Sequence, residues 1–154
     1  MEKPIIRLDK IKDTAHVVSV KAHKDYEQGN MVALGELQGE VYEGKDIEAN
    51  SDLVVLIACS TFKHDESLTD EEFYIKKDEL ARGYIMSKGD TITLTDNGLE
   101  GNAEIDKYVV PKAGNIKMSV VDSKPTKGVG VCYKIIAKSY LAGYQASKLL
   151  VVSE

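Results

Sequence analysis

At 154 residues, 43% apolar and 29% charged, the chain has the size and balance of one globular domain with a real core. Its two cysteines lack metal-type spacing, which excludes a disulfide framework and a zinc knuckle, and no apolar run reaches membrane-spanning length. Met1-Glu2-Lys3-Pro4 lacks the apolar core of a signal peptide, so the chain is expected in a reducing compartment, and its net charge is -5.

Residues 1–14, MEKPIIRLDKIKDT, read as an N-terminal arm ahead of a single β-rich domain at 15–154. Pro4 favours an extended start, and Ile5, Ile6, Leu8 and Ile11 are apolar between charges. Such a segment is either a first strand or peripheral helix of the domain, or an arm whose Ile5, Ile6 and Leu8 dock on a partner. Ala15 to Ala22 alternates, with His16, Val18, Val20 and Ala22 on one face. Met31 to Leu34 is a short strand, Gly35, Gly39 and Gly44 are expected turns, and Glu40-Val41-Tyr42 is a brief strand. Leu53 to Cys59, LVVLIAC, is apolar in both alternate rows and should be a central strand covered on both sides. Residues 60–72 form a loop in which Thr69 and Glu72 fit a capping box, and Asp78 to Ala81 offers a second helical turn. Phe73-Tyr74-Ile75 and Gly83 to Met86 are short apolar runs on either side of a charged link.

The stretch Tyr84 to Val120 sets the architecture. Thr91 to Thr95 puts Ile92 and Leu94 on one face and three threonines on the other, as a half-buried strand does. Asp96-Asn97-Gly98 ends it, because Asn and Gly accept the positive φ of a reversal. Lys107 to Val110 is stopped by Pro111, Lys112 to Asn115 turns, and Ile116, Met118 and Val120 alternate. Val129, Val131, Tyr133, Ile135 and Ala137 share one face of a final hairpin over 129–152, with a reversal at Leu141-Ala142-Gly143. A helix from Cys132 to Leu150 competes, but Gly143 and the β-branched runs oppose it. Reversals this frequent build a mainly β fold, a small sandwich or barrel-like domain with one or two short helical turns.

Reactive groups are sparse. Cys59 and Cys132 sit in apolar strand patterns, where a cysteine is usually a small core residue; a nucleophile needs a base and a polar pocket. His16, His23 and His64 are scattered, and His16 on an apolar row is more often core than ligand. Asp65, Glu66, Asp70, Glu71 and Glu72 lack the ligand ladder and glycine of a calcium loop, so a solvated acidic loop is expected. Gly128-Val129-Gly130 enters a strand instead of leaving one for a helix, so it cannot cradle a phosphate. Neither catalytic residues nor metal or cofactor ligands are assigned. Charge is split along the chain: residues 1–35 carry six Lys/Arg and five Asp/Glu, 36–106 six and eighteen, and 107–154 eight and two. The acidic middle and lysine-rich end can attract each other within one fold or between copies. The last third has no Arg, and the chain no Trp, which argues against nucleic acid.

Met31-Val32-Ala33-Leu34-Gly35-Glu36-Leu37, Phe73-Tyr74, Glu79-Leu80-Ala81-Arg82-Gly83-Tyr84, Lys88-Gly89-Asp90 and Gly128-Val129-Gly130 occur in that order. The order resembles the small head decoration proteins of tailed bacteriophages, the capsid-stabilising accessory class, loosely over residues 15–152. The resemblance implies a non-enzymatic structural protein of the virion, made in the host cytoplasm. Its partner would be the major capsid protein at the outer shell surface, bound by monomers in some members and by trimers of copies in others. No cofactor and no membrane are implied. The competing expectation is a small-molecule or carbohydrate-binding β domain, or a β-barrel enzyme, with a pocket around Tyr42, Tyr74, Tyr84 and Tyr108.

Overall fold

The computed structural model describes residues 3–11, 17–48, 53–58, 74–125 and 130–153. Twelve strands form over these residues: β1 (Ile6–Lys10), β2 (Val17–Lys21), β3 (Met31–Gln38), β4 (Val41–Lys45), β5 (Val54–Ile57), β6 (Leu80–Tyr84), β7 (Thr91–Thr95), β8 (Leu99–Glu100), β9 (Tyr108–Lys112), β10 (Asn115–Val121), β11 (Cys132–Leu141) and β12 (Tyr144–Ser153). A 3-10 turn, Asp96–Gly98, is the one helical turn among the described residues. The fold is mainly β, and it contains both a barrel and an open sheet. Strands β2-β4-β3-β5-β6 close on themselves, while β1-β7-β12-β11-β9-β10-β8 form a seven-stranded sheet.

Strand β5 belongs to both cores. It pairs with β3 on one side and β6 on the other, and all four residues are buried. Val55 and Ile57 fill the barrel with Val20, Tyr26, Val32, Ile75 and Ala81. Val54 and Leu56 point the other way, into the layer shared with Ile92, Leu94, Met118, Tyr133, Ile135 and Leu149. A period of two in an unbroken apolar run produces this double commitment. Each such side chain contributes about 1.5–3 kcal/mol relative to leaving it in water. Cys59, at the end of the same run, lies outside the described residues.

Of the two readings of residues 1–14, the structure has the first strand and not a free arm. Ile6 to Lys10 is the edge strand β1, antiparallel to β7, with Ile6 opposite Leu94 and Leu8 opposite Ile92. Opposed residues share a face, so Ile6 and Leu8 point inward and pack on the inter-sheet core. Ile5 is tied by its backbone, its N–H donating to Thr95 Oγ1 at 2.8 Å and its carbonyl accepting from Thr95 N–H at 2.9 Å. The register slips between Leu8 and Lys10.

Strand β7 is not half-buried. Thr91, Thr93 and Thr95 are as buried as Ile92 and Leu94, because β7 lies between β1 and β12 and its neighbours' side chains close over it. Thr93 Oγ1 donates to Asp9 Oδ2 at 2.6 Å, Arg7 Nε donates to Asp9 Oδ1 at 2.6 Å, and Thr95 Oγ1 donates to Asn97 Oδ1 at 2.6 Å.

The hairpin β11–β12 replaces the competing helix. Ala142 (φ 50°) and Gly143 (φ 85°) are both left-handed, the requirement of a two-residue turn matched to strand twist. An unpaired Ile136 between the Ile135–Leu149 and Ala137–Lys148 pairs reverses the alternation. Ala137 therefore leaves the Tyr133–Ile135 face, and Lys138 takes the inner side opposite Ser147.

Smaller corrections have similar local causes. Strand β3 runs through Gly35 to Gln38, and the reversal waits for Gly39 at φ 68°. Gly44 is a strand residue, not a turn. Asp78 (φ 72°) occupies a tight turn and Leu80 already starts β6, so no helical turn forms at 78–81. Pro111 lies inside β9, at a point where pairing with β11 has ended, so its missing N–H breaks no ladder. The Thr69–Glu72 capping box lies outside the described residues, as do Phe73, His16, His64, the acids at 65–72 and Gly128-Val129.

Candidate functional site

One end of the barrel gathers a polar cluster around a buried tyrosine. Tyr26 bridges to Ile75 through both backbone groups, at 2.7 and 2.8 Å, and its ring is fully buried among the barrel residues. Its hydroxyl lies 2.6 Å from His23 Nδ1, and His23 Nε2 lies 2.9 Å from Asp46 Oδ1. Lys24 Nζ sits 2.7 Å from the same carboxylate oxygen. An ionised carboxylate only accepts, so Nε2 carries a proton; in the neutral imidazole Nδ1 then accepts from the tyrosine. Parallel pairing of β2 with β4 brings His23 beside Asp46 across 23 residues of sequence.

The electrostatics follow from this placement. Burial, opposed by the His23 backbone hydrogen bond, pushes the Tyr26 hydroxyl up to about 12. The hydrogen bonds from His23 and Lys24 hold the Asp46 carboxyl below its usual range. Gly44 is required here by space, since a Cβ would land on the Tyr26 hydroxyl and press on His23 Nδ1.

Beside the cluster lies a cleft of about 250 Å³ with Lys21, His23, Glu43, Gly44, Lys77 and Asp78 on its walls. Backbone bonds fix its far wall: Asp78 N–H donates to Ala22 O at 2.8 Å and Lys77 N–H to Asp25 Oδ1 at 2.9 Å. The cleft is below the size of a typical drug-sized pocket and mixes both charges, so it suits at most a small polar molecule. Both ring nitrogens of His23 are already engaged with Tyr26 and Asp46.

Two further constellations occur on the sheet. Lys138 Nζ donates to Asp96 Oδ2 at 2.6 Å and to Ser147 Oγ at 2.8 Å, and Ser147 Oγ donates to Asp96 Oδ1 at 2.8 Å. The three close a ring that ties the end of the hairpin to the 3-10 turn. Ser147 is fully buried, out of reach of any substrate. Cys132 is also buried, its thiol directed at Tyr133 O at 3.7 Å, and burial pushes its pKa up, the wrong direction for a nucleophile.

The four tyrosines expected around a pocket do not converge. Tyr42 lies on β4 and Tyr108 on β9, in different sheets. Tyr84 packs on the inter-sheet core, and Tyr74 lies under Lys3 Nζ, 5.4 Å from the ring centroid. Among the described residues no group of three or more His, Cys, Asp and Glu is arranged to hold a metal ion. No helix among them is long and apolar enough to cross a membrane. The Tyr26–His23–Asp46 relay was missed in the sequence because its only local signal is a histidine three residues before a tyrosine.

No known family model matches the chain, and no characterised protein or solved structure is found similar to it.

Proposed function

We propose that this chain is a structural binding protein of the capsid-decoration kind, attached to the outer surface of a phage shell and stabilising contacts between major capsid subunits. The observation that carries the reading is that its polar constellations are satisfied within the fold, each bonding its own members. Tyr26–His23–Asp46 braces a barrel wall, Lys138–Asp96–Ser147 fastens a hairpin, and Arg7–Asp9–Thr93 fastens an edge strand. What remains for a partner is surface: sheet faces, two long hairpins and the edges of an open sheet. The residues behind the resemblance are architectural in the same way. Gly83 lets Val20 and Val55 approach β6, and Gly89 (φ 97°) turns the chain while Asp90 Oδ2 accepts from Ser87 N–H at 2.9 Å. Many copies on one shell would add weak contacts that a single copy could not hold.

The test is to look for a major capsid gene beside this one, coexpress the two proteins, and sediment the assembled shells. The chain should travel with the particles and raise the temperature at which they come apart. A chain left in the supernatant, or a gene with no capsid gene beside it, removes the reading. The cleft beside His23 favours the second reading, a small-molecule-binding β domain; a ligand that shifts the amide signals of Lys21, Glu43 and Lys77 together would establish it.

A further inference from the structure

The register of the seven-stranded sheet assigns its outer face residue by residue. Ile92 faces Leu149 on the inner, core-facing side. The alternate rows therefore face out: Arg7, Thr93, Lys148 and Ala137 in one, and Thr91, Leu150, Lys134, Tyr108 and Val121 in the next. Three cations, Arg7, Lys134 and Lys148, flank a half-buried apolar strip of Leu150, Tyr108 and Val121. Among the described residues their acidic neighbours on this side are Asp9, held under Arg7 and Thr93, and Asp106, 3.8 Å from Lys134 Nζ.

The barrel carries the opposite pattern. The β3–β4 hairpin carries three glutamates over residues 35–44, with one cation, Lys45, at the end of β4 beside Gly35. Glu36, Glu40 and Glu43 are exposed, and Leu37 between them is 50% exposed. The barrel packs against the inner face of the sheet, so this hairpin cannot reach the outer face of its own molecule.

We propose that the two surfaces meet between copies: the acidic β3–β4 hairpin of one molecule docks on the basic outer sheet face of the next. Leu37 then meets the Tyr108–Leu150 strip while Glu36 and Glu40 face Lys134, Lys148 and Arg7. The contact is head-to-tail, so it closes into a ring or continues as a chain according to its rotation. It requires no shell and is distinguishable from shell binding.

Sedimentation velocity of the purified full chain tests it. At about 20 mM salt, where exposed charges are poorly screened, the chain should self-associate, and at about 500 mM the association should weaken by roughly tenfold or more. Glu36→Lys with Glu40→Lys, and separately Lys134→Glu with Lys148→Glu, should each leave a folded monomer. An equimolar mixture of the two variants should associate again, because each supplies the surface the other lacks. Glu36→Gln with Glu40→Gln gives the same loss of self-association without reversed charge, should the reversal disturb the fold. A wild-type chain that stays monomeric at low salt, or an association indifferent to salt and to all three variants, overturns the proposal.

Discussion

In the closed barrel the fully buried Tyr26 ends on a histidine and, through it, on a carboxylate; in the open sheet the fully buried Tyr133 ends on nothing. The two rings have the same size and are equally dry, but they stand in different surroundings. Tyr26 lies near the barrel's end, where β4 has given up a side chain at Gly44 to let the hydroxyl through to polar partners. Tyr133 lies mid-sheet in the thick inter-layer core, where aliphatic side chains surround it and burial drives its pKa far upward. The contrast is local to the two tyrosines. At the barrel's end the buried ring is anchored by a directed bond, whereas the inter-layer core around Tyr133 is apolar and tolerates an unpartnered hydroxyl; the directed bonds of the sheet, at Lys138 and Arg7, lie elsewhere on it.

The largest test of that contrast is Leu56→Ala. It empties the face of β5 that the two layers share, and should cost about 3–4 kcal/mol in urea denaturation. Gly44→Ala strikes the barrel by overpacking and by displacing the Tyr26 hydroxyl; a loss of about 2–3 kcal/mol is expected by the same measurement. Tyr26→Phe keeps the ring and removes its bond to His23, and should cost about 1–2 kcal/mol. Tyr133→Phe should do the opposite, leaving stability unchanged or raising it by up to about 1 kcal/mol, because it deletes a buried hydroxyl that has no partner. Equal losses for the two Tyr→Phe variants would erase the distinction between the regions.

The same contrast has a pH dependence. The folded-state pKa of Tyr26 is raised from 10.0 to about 12, so its contribution is complete below pH 10 and is lost as pH rises through the folded value. The thermal midpoint of the wild-type chain should therefore fall more steeply between pH 10 and 12 than that of Tyr26→Phe. Asp46 works in the other sense. Its folded pKa is lowered, so its contribution is present above the ordinary carboxylate value and fades as pH drops through the depressed one.

Much of this architecture was legible in the chain because short strands announce themselves through period-2 patterning and glycine-bearing turns. Leu53 to Cys59 identified β5 as central, and Leu141-Ala142-Gly143 located the last reversal. What stayed hidden depends on contacts between segments far apart in sequence. Gly44 looks like a turn until Tyr26 arrives beside it, and Pro111 looks like a stop until β11 is seen to have ended its pairing. The bulge at Ile136 has no local mark, yet it decides which lysine meets Asp96. Ile6 and Leu8 were left between a first strand and a docking arm because their charged neighbours masked a period that β7 completes. The His23–Asp46 contact depends on parallel pairing of β2 and β4, which no pattern in either segment encodes.

Among the described residues strand β1 forms the rim of the open sheet, with no strand paired to its outer side. The slip between Leu8 and Lys10 bends that rim, and the ionised Arg7 and Asp9 lie along it. A second β1 fits poorly against such a rim, so edge-to-edge pairing through β1 is disfavoured.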